Sequence, residues 1–171
     1  MTEDILVTLI QTVHEWAALN PFYGYVGLFL VGFVSALSFL LPTPAFLLAF
    51  TLGAVLNPFL VGLSFGLGSG IGEMPSYLLG VGGERLFLKK HHHQLKEVEK
   101  KFQKYGGFVV LYAFAALPLP IDVAAIFAGA IGYPWKNALL AIMAGKVTKF
   151  VFIAYAGLYG LNWVREYFSF G

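Results

Sequence analysis

Cysteine is absent, and charge is scarce: only 12% of the 171 residues are Asp, Glu, Lys or Arg, against about 25% in ordinary soluble domains. Without thiols there is no disulfide frame and no thiolate chemistry, and the redox compartment leaves no mark on the composition. The first 20 residues contain no Lys or Arg, so a cleaved signal peptide, which carries a cationic segment, is not expected there. No histidine falls in the apolar tracts, which argues against an intramembrane enzyme built on a nucleophile and a positioned base. No phosphate-cradling Walker loop occurs, so nucleotide hydrolysis is not expected. Neither a cofactor nor a metal is implied.

What remains is overwhelmingly apolar. Hydrophobic residues make up 58% of the chain, with 17 Phe, 20 Gly and a mean hydropathy of +0.76, a membrane composition in a length that allows one domain, residues 1–171. Four tracts carry it: Tyr25 to Leu41, Ala45 to Leu56, Phe59 to Gly83, and Gly107 to Leu161, the last interrupted at Pro118-Leu119-Pro120 and at Pro134. A spanning helix needs about 20 apolar residues. Only Phe59 to Gly83 and Trp135 to Leu161 meet that without an internal break, with Pro75 expected to kink the first. The other tracts are split by prolines that remove backbone donors.

The charges are concentrated elsewhere. Residues 84 to 105 hold seven Lys/Arg and cannot cross a bilayer. Leu88, Leu95, Val98, Phe102 and Tyr105 recur at helical spacing with charges opposite, which predicts a basic interfacial helix on the cytoplasmic face. Anionic lipid explains its basic character as well as nucleic acid would. Residues 1 to 20 form a second amphipathic stretch, with Leu6, Leu9, Ile10, Val13, Trp16 and Ala17 on one side and Asn20-Pro21 ending it.

The chain also repeats itself. Leu41-Pro42-Thr43-Pro44 matches Leu117-Pro118-Leu119-Pro120, Gly53-Ala54 matches Gly129-Ala130, and Pro58-Phe59 matches Pro134-Trp135, all at the same offset of 76 residues. Each repeat (25–83 and 107–161, joined by the linker 84–106) is expected to be a re-entrant helical hairpin turning at its LPxP tip, followed by one transmembrane helix. If only the long helix of each repeat crosses, the two repeats are inverted, the basic linker lies inside and both termini lie outside, in keeping with the positive-inside tendency. The rival arrangement makes Tyr25 to Leu41 and Gly107 to Leu117 full crossings and the repeats parallel. Gly107 to Leu117 has 11 residues, about 16 Å of helix, too short for a hydrocarbon core of about 30 Å. The fold class is therefore an all-α integral membrane protein with two inverted repeats.

The run G-S-G-I-G-E-M-P-S-Y-L-L-G-V-G-G, Gly68 to Gly83, resembles the segment after the first re-entrant hairpin in the DedA or VTT-domain family, also called SNARE-associated Golgi proteins. L-P-L-P-I-D-V-A-A-I-F-A-G, Leu117 to Gly129, is similar to that family's P-x-x-P-x-D…A-G pattern. The likeness extends over residues 25 to 161. It implies a lipid translocase of a prokaryotic plasma membrane, a flippase or scramblase of polyprenyl phosphate or phospholipid, often coupled to protons. The chain departs from the bacterial pattern at two places. Phe114-Ala115-Ala116 stands where an arginine usually precedes the second hairpin's prolines, and Ala45-Phe46 where the first hairpin usually carries an acid.

The candidate site follows from the charges inside the apolar tracts. Glu73 and Lys149 occupy equivalent places, each 15 residues past its repeat's proline. A charged side chain at the bilayer centre costs on the order of 3 kcal/mol on insertion scales, so such groups tend to be paired or to line a wet cavity. Glu73, Lys149, Asp122, Lys146 and Tyr77 are expected to face one polar cavity, with Glu73 and Asp122 as proton acceptors. The hairpin tips Pro42, Pro44, Pro118 and Pro120 would aim the amino ends of half-helices at an anionic, phosphate-headed lipid. Purely structural roles are open beside these: an ion pair that docks two helices for Glu73 and Lys149, a helix cap for Asp122, snorkelling for Lys146, and close packing for the Gly66/Gly70 and Gly68/Gly72 pairs. His91-His92-His93 reads as a solvated or head-group-facing run, since consecutive residues do not share a helix face. Two further functions stay open, a small-ion transporter or channel and a non-catalytic assembly factor. Lipid flipping requires a groove open sideways, an ion path an enclosed pore, and an assembly role a filled interior.

Overall fold

The computed structural model describes residues 20–37, 45–83 and 106–169, together with Thr8, Gln11, Thr12, Glu15 and Phe102; for 45 and 161–169 it describes the backbone alone. Most of the amino-terminal amphipathic stretch, the first hairpin tip with Pro42 and Pro44, and the basic linker with its three histidines lie outside the described residues. Among the described residues the structure is all helical: α1 (Pro21–Leu37), α2 (Ala45–Gly53), α3 (Pro58–Gly72), α4 (Gly107–Ala116), α5 (Ile121–Ala130) and α6 (Trp135–Ser169). A further helical segment, 74–83, continues from α3.

The helix starts are written locally. Asn57 caps α3 by accepting hydrogen bonds from the amides of Phe59 and Leu60 through its side chain, and Pro58 takes the first helical position, where its missing donor costs nothing. Tyr25 ties α1 to this turn, its hydroxyl accepting from the Asn57 amide at 3.2 Å. In the second half, Gly106 at φ 77° feeds the chain into α4. Pro120 stands at the N-cap of α5, and the helix begins at Ile121.

The tract Phe59 to Gly83 is not one uninterrupted helix. Pro75 has no amide to give the Ile71 carbonyl, the Glu73 amide turns to that carbonyl instead, and the helical path breaks at Glu73 before resuming at 74. Among the described residues, Trp135–Gly160 within α6 is the one unbroken helix long and apolar enough to cross a membrane.

α3 and α6 cross at the centre of the molecule. Gly62 faces Val151, Gly66 faces Val147 and Gly70 faces Met143, so each step of four residues forward on α3 is a step of four back on α6, and the helices run antiparallel. The absence of side chains at these glycines lets the two backbones approach closely. α1 lies parallel to α3, with Gly68 against the Phe29 carbonyl and Gly72 against that of Phe33.

The hairpins are shared between the long helices. α2 packs on α6, where Gly157 meets the Phe50 carbonyl, and α5 packs on 74–83, where Gly80 meets the Ile126 carbonyl. Phe50 and Ile126 stand 76 residues apart, as do the starts of α2 and α5, Ala45 and Ile121. Two apolar cores result among the described residues. One gathers Leu28, Val31, Leu48, Leu52, Val61, Phe65 and Phe150; the other gathers Leu111, Ala115, Ala124, Ala125, Ala128, Ala138 and Ile142. Outside them, large apolar side chains face outward, among them Phe152, Val55, Phe22 and Leu79, the surface expected of a chain surrounded by lipid rather than water.

Candidate functional site

Glu73 sits at the break in α3, only 2% exposed, and its Oε2 lies 2.9 Å from the Nζ of Lys146 on α6. Its other oxygen, Oε1, is buried without a hydrogen-bond partner. The expected partner, Lys149, goes elsewhere: its Nζ donates to the carbonyl of Leu117, at the second hairpin tip, over 3.4 Å. Lys146 and Lys149 are one turn apart on α6, so both ammonium groups work from one helix face.

These two lysines line an open-sided cleft of about 400 Å³ between the two halves of the molecule. Ser35 and Ala36 of α1, Phe46 of α2, Phe65 and Ser69 of α3, Pro118 at the second tip, and Phe150 and Ile153 of α6 also line it. Among the described residues no carboxylate lines it. Ser35 is engaged with the Gly32 carbonyl at 2.9 Å, and Ser69 is buried at the cleft wall.

Asp122 stands in the first turn of α5. It accepts a 3.0 Å hydrogen bond from Ser76 of the 74–83 segment, joining that segment to α5 beside Glu73. Tyr77 donates its hydroxyl to the Tyr133 carbonyl in the turn before α6, and does not line the cleft. Pro118 reaches the cleft; Pro120 is exposed at the start of α5. The structure thus joins Glu73 to Lys146 and places Lys146 and Lys149 on one cleft, with Asp122 behind Glu73 and Tyr77 turned to the α5–α6 corner.

Ser69 and Ser76 escaped the sequence reading. Both lie within a turn of Glu73, four residues before it and three after, so the helical spacing that puts groups on one face carried the signal. Among the described residues no group of three or more His, Cys, Asp or Glu side chains is placed to hold a metal.

Residues 41–159 match the VTT domain, a span that takes in α2, the second hairpin and the whole α3–α6 crossing but not α1. The chain belongs to the VTT-domain family. It is similar to two curated proteins, the inner membrane protein YqaA of Escherichia coli strain K12 and that of Shigella flexneri. Each is 26% identical over 139 residues, 80% of this chain and 92% of the relative. No solved structure matches the chain. As a VTT-domain protein with an apolar exterior and a long apolar α6, it is a membrane protein, and neither match names an enzymatic activity.

Proposed function

We propose that this VTT-domain protein is a transporter that moves phosphate-headed lipids, polyprenyl phosphate or phospholipid, across the plasma membrane of a prokaryote. The observation that carries the reading is the cleft between the two halves, where Lys146 and Lys149 project from a membrane-crossing helix with no carboxylate on the wall among the described residues. An ionisable side chain inside a membrane helix is expensive to keep and marks a transport path by default. Two ammonium groups offer up to six donors to phosphate oxygens, while the open side leaves room for acyl or prenyl chains in the lipid. A cleft of this volume lies within the range of small-molecule sites. Glu73 and Asp122, adjacent behind Lys146, are the groups assigned to proton coupling.

Inverted repeats belong to the same reading. α2 has nine residues and α4 and α5 ten each, about 14 to 15 Å of helix, half of a hydrocarbon core. The antiparallel α3–α6 crossing and the exchanged contacts of α2 and α5 fit a pseudo-twofold axis lying in the membrane plane. In that arrangement residues 84–106 are cytoplasmic.

The test is transbilayer movement of a fluorescent short-chain phosphatidic acid in proteoliposomes. Wild type is expected to accelerate it, and Lys149→Gln or the double variant Glu73→Gln/Lys146→Gln to reduce the rate at least about tenfold, the scale of a lost charge-assisted contact. Wild-type rates in both variants would remove the site. Ion flux without lipid movement would point to the ion reading, and neither activity to the assembly reading.

A further inference from the structure

We infer that Glu73 is a built-in competitor of the substrate, an internal anion that occupies Lys146 when the cleft is empty and is displaced from it by the arriving phosphate. The inference rests on the anionic-lipid reading above and names how that site is regulated. Lys146 has two faces: its Nζ contacts Glu73 at 2.9 Å, while its side chain forms part of the cleft wall. Glu73 itself is shut behind it and does not reach the cleft.

The pair is made for exchange. The ammonium uses one carboxylate oxygen; Oε1 is buried near Asp122 with no donor among the described residues, so the contact lacks the second hydrogen bond that would fix it. An ammonium has three donors on a flexible stem and can turn from one acceptor to another. Lys149 is similarly under-committed, held by one 3.4 Å hydrogen bond to the Leu117 carbonyl. A phosphate entering from the cleft would therefore meet Lys149 first and draw Lys146 from Glu73. The displaced carboxylate is left beside that of Asp122, while Lys149 is taken up by the phosphate. That unfavourable state drives the pair to re-form, and its re-forming expels the head group. Affinity is given up so that release stays fast.

A docking ion pair and a competitor make opposite predictions for removal of the carboxylate charge. Calorimetric titration of the full chain in detergent, with dihexanoyl phosphatidic acid as the probe, is expected to give about tenfold tighter binding to Glu73→Gln than to wild type, because the binding-competent lysine is no longer withheld. The same variant is expected to move lipid more slowly in proteoliposomes, since release loses its driver. Dihexanoyl phosphatidylcholine, whose phosphate is already internally balanced, is expected to show no such gain. Inorganic phosphate serves as a second ligand: a gain for it equal to that for phosphatidic acid supports the competitor, whereas a gain for inorganic phosphate alone overturns the lipid part of the assignment. Equal or weaker phosphatidic acid binding by folded Glu73→Gln, with Lys149→Gln still impaired, overturns the competitor and leaves the lysine site standing. Unaltered binding by both Lys149→Gln and Glu73→Gln/Lys146→Gln overturns the lysine site and the competitor with it. Should Glu73→Gln fail to fold, Glu73→Asp, one methylene shorter, is expected to shift affinity in the same direction by a smaller factor, and a shift the other way overturns the inference.

Discussion

Lys146 reaches Glu73, and Lys149, one turn further along α6, does not. The antiparallel count set by Gly62–Val151, Gly66–Val147 and Gly70–Met143 puts the level of Glu73 nine residues, about 13 Å, from Lys149. Lys146 is a turn closer. Side chains on a helix lean toward its amino end, so on antiparallel helices Glu73 leans toward Gly70 and Lys146 toward Met143, which face each other. The pair closes the remaining gap by leaning inward from both sides.

Removing one member of this pair is expected to cost far more than removing both charges. Lys146→Ala leaves a carboxylate buried beside α6 without a counter-ion, and breaking a buried pair typically costs about 3–5 kcal/mol. Glu73→Gln/Lys146→Gln leaves two neutral polar groups able to bond each other. Thermal unfolding followed by size-exclusion fluorescence in detergent should show a deep drop for the single variant and recovery of most of it in the double.

Much of this architecture was legible in the chain, and the part that was not has a geometric cause. The 76-residue register read from the chain is kept by the helix starts at Ala45 and Ile121. Glu73 and the two lysines were found as isolated charges in apolar tracts. The pairing was not legible, because equivalent positions in two repeats need not touch: when the long helices run antiparallel, residues equally displaced from the crossing move apart. Pro75 announced a kink, but its placement at Glu73 depends on which amide takes over the Ile71 carbonyl. Tyr77, one turn from Glu73 in sequence, was drawn to the corner by a backbone carbonyl 56 residues away, a partner that periodicity cannot reveal.

Tyr77→Phe is expected to lower stability by about 1 kcal/mol, the usual net value of a neutral hydrogen bond, by releasing the Tyr133 carbonyl. Since the hydroxyl does not line the cleft, phosphatidic acid affinity should stay within twofold of wild type, about the noise of such comparisons. A loss of binding without a loss of melting temperature would return Tyr77 to the site.

The glycine face of α3 sets a sharper contrast. A Cβ at Gly66 would lie 2.5 Å from the Cα of Val147, whereas one at Gly82 would meet nothing within 4 Å. Gly66→Ala therefore forces α3 and α6 apart, and overpacking of this kind costs about 1–3 kcal/mol or more. Gly82→Ala should be neutral or stabilising by up to about 1 kcal/mol through helix propensity. Melting curves of the two variants should diverge in opposite directions from wild type.

The natural absence of cysteine makes the topology directly testable with single introduced thiols. Val55, in the turn between α2 and α3, and Lys136, at the start of α6, are both exposed, and they occupy the corresponding corners of the two repeats. If the hairpins re-enter and the repeats are inverted, α3 starts on the outer side and α6 on the inner. Val55→Cys should then react with a membrane-impermeant maleimide added to intact cells, and Lys136→Cys only after permeabilisation. Lys136 beside Trp135, its Nζ 5.7 Å from the indole centroid, already has the makeup of an inner-surface anchor, a cation next to an interfacial aromatic. Parallel repeats would put both corners on one side, so labelling of both thiols, or of neither, in intact cells would show that the axis relating the halves runs along the membrane normal. In that case the two lysines and the two hairpin tips could not alternate their exposure about a common centre, and the cleft would open to one side only.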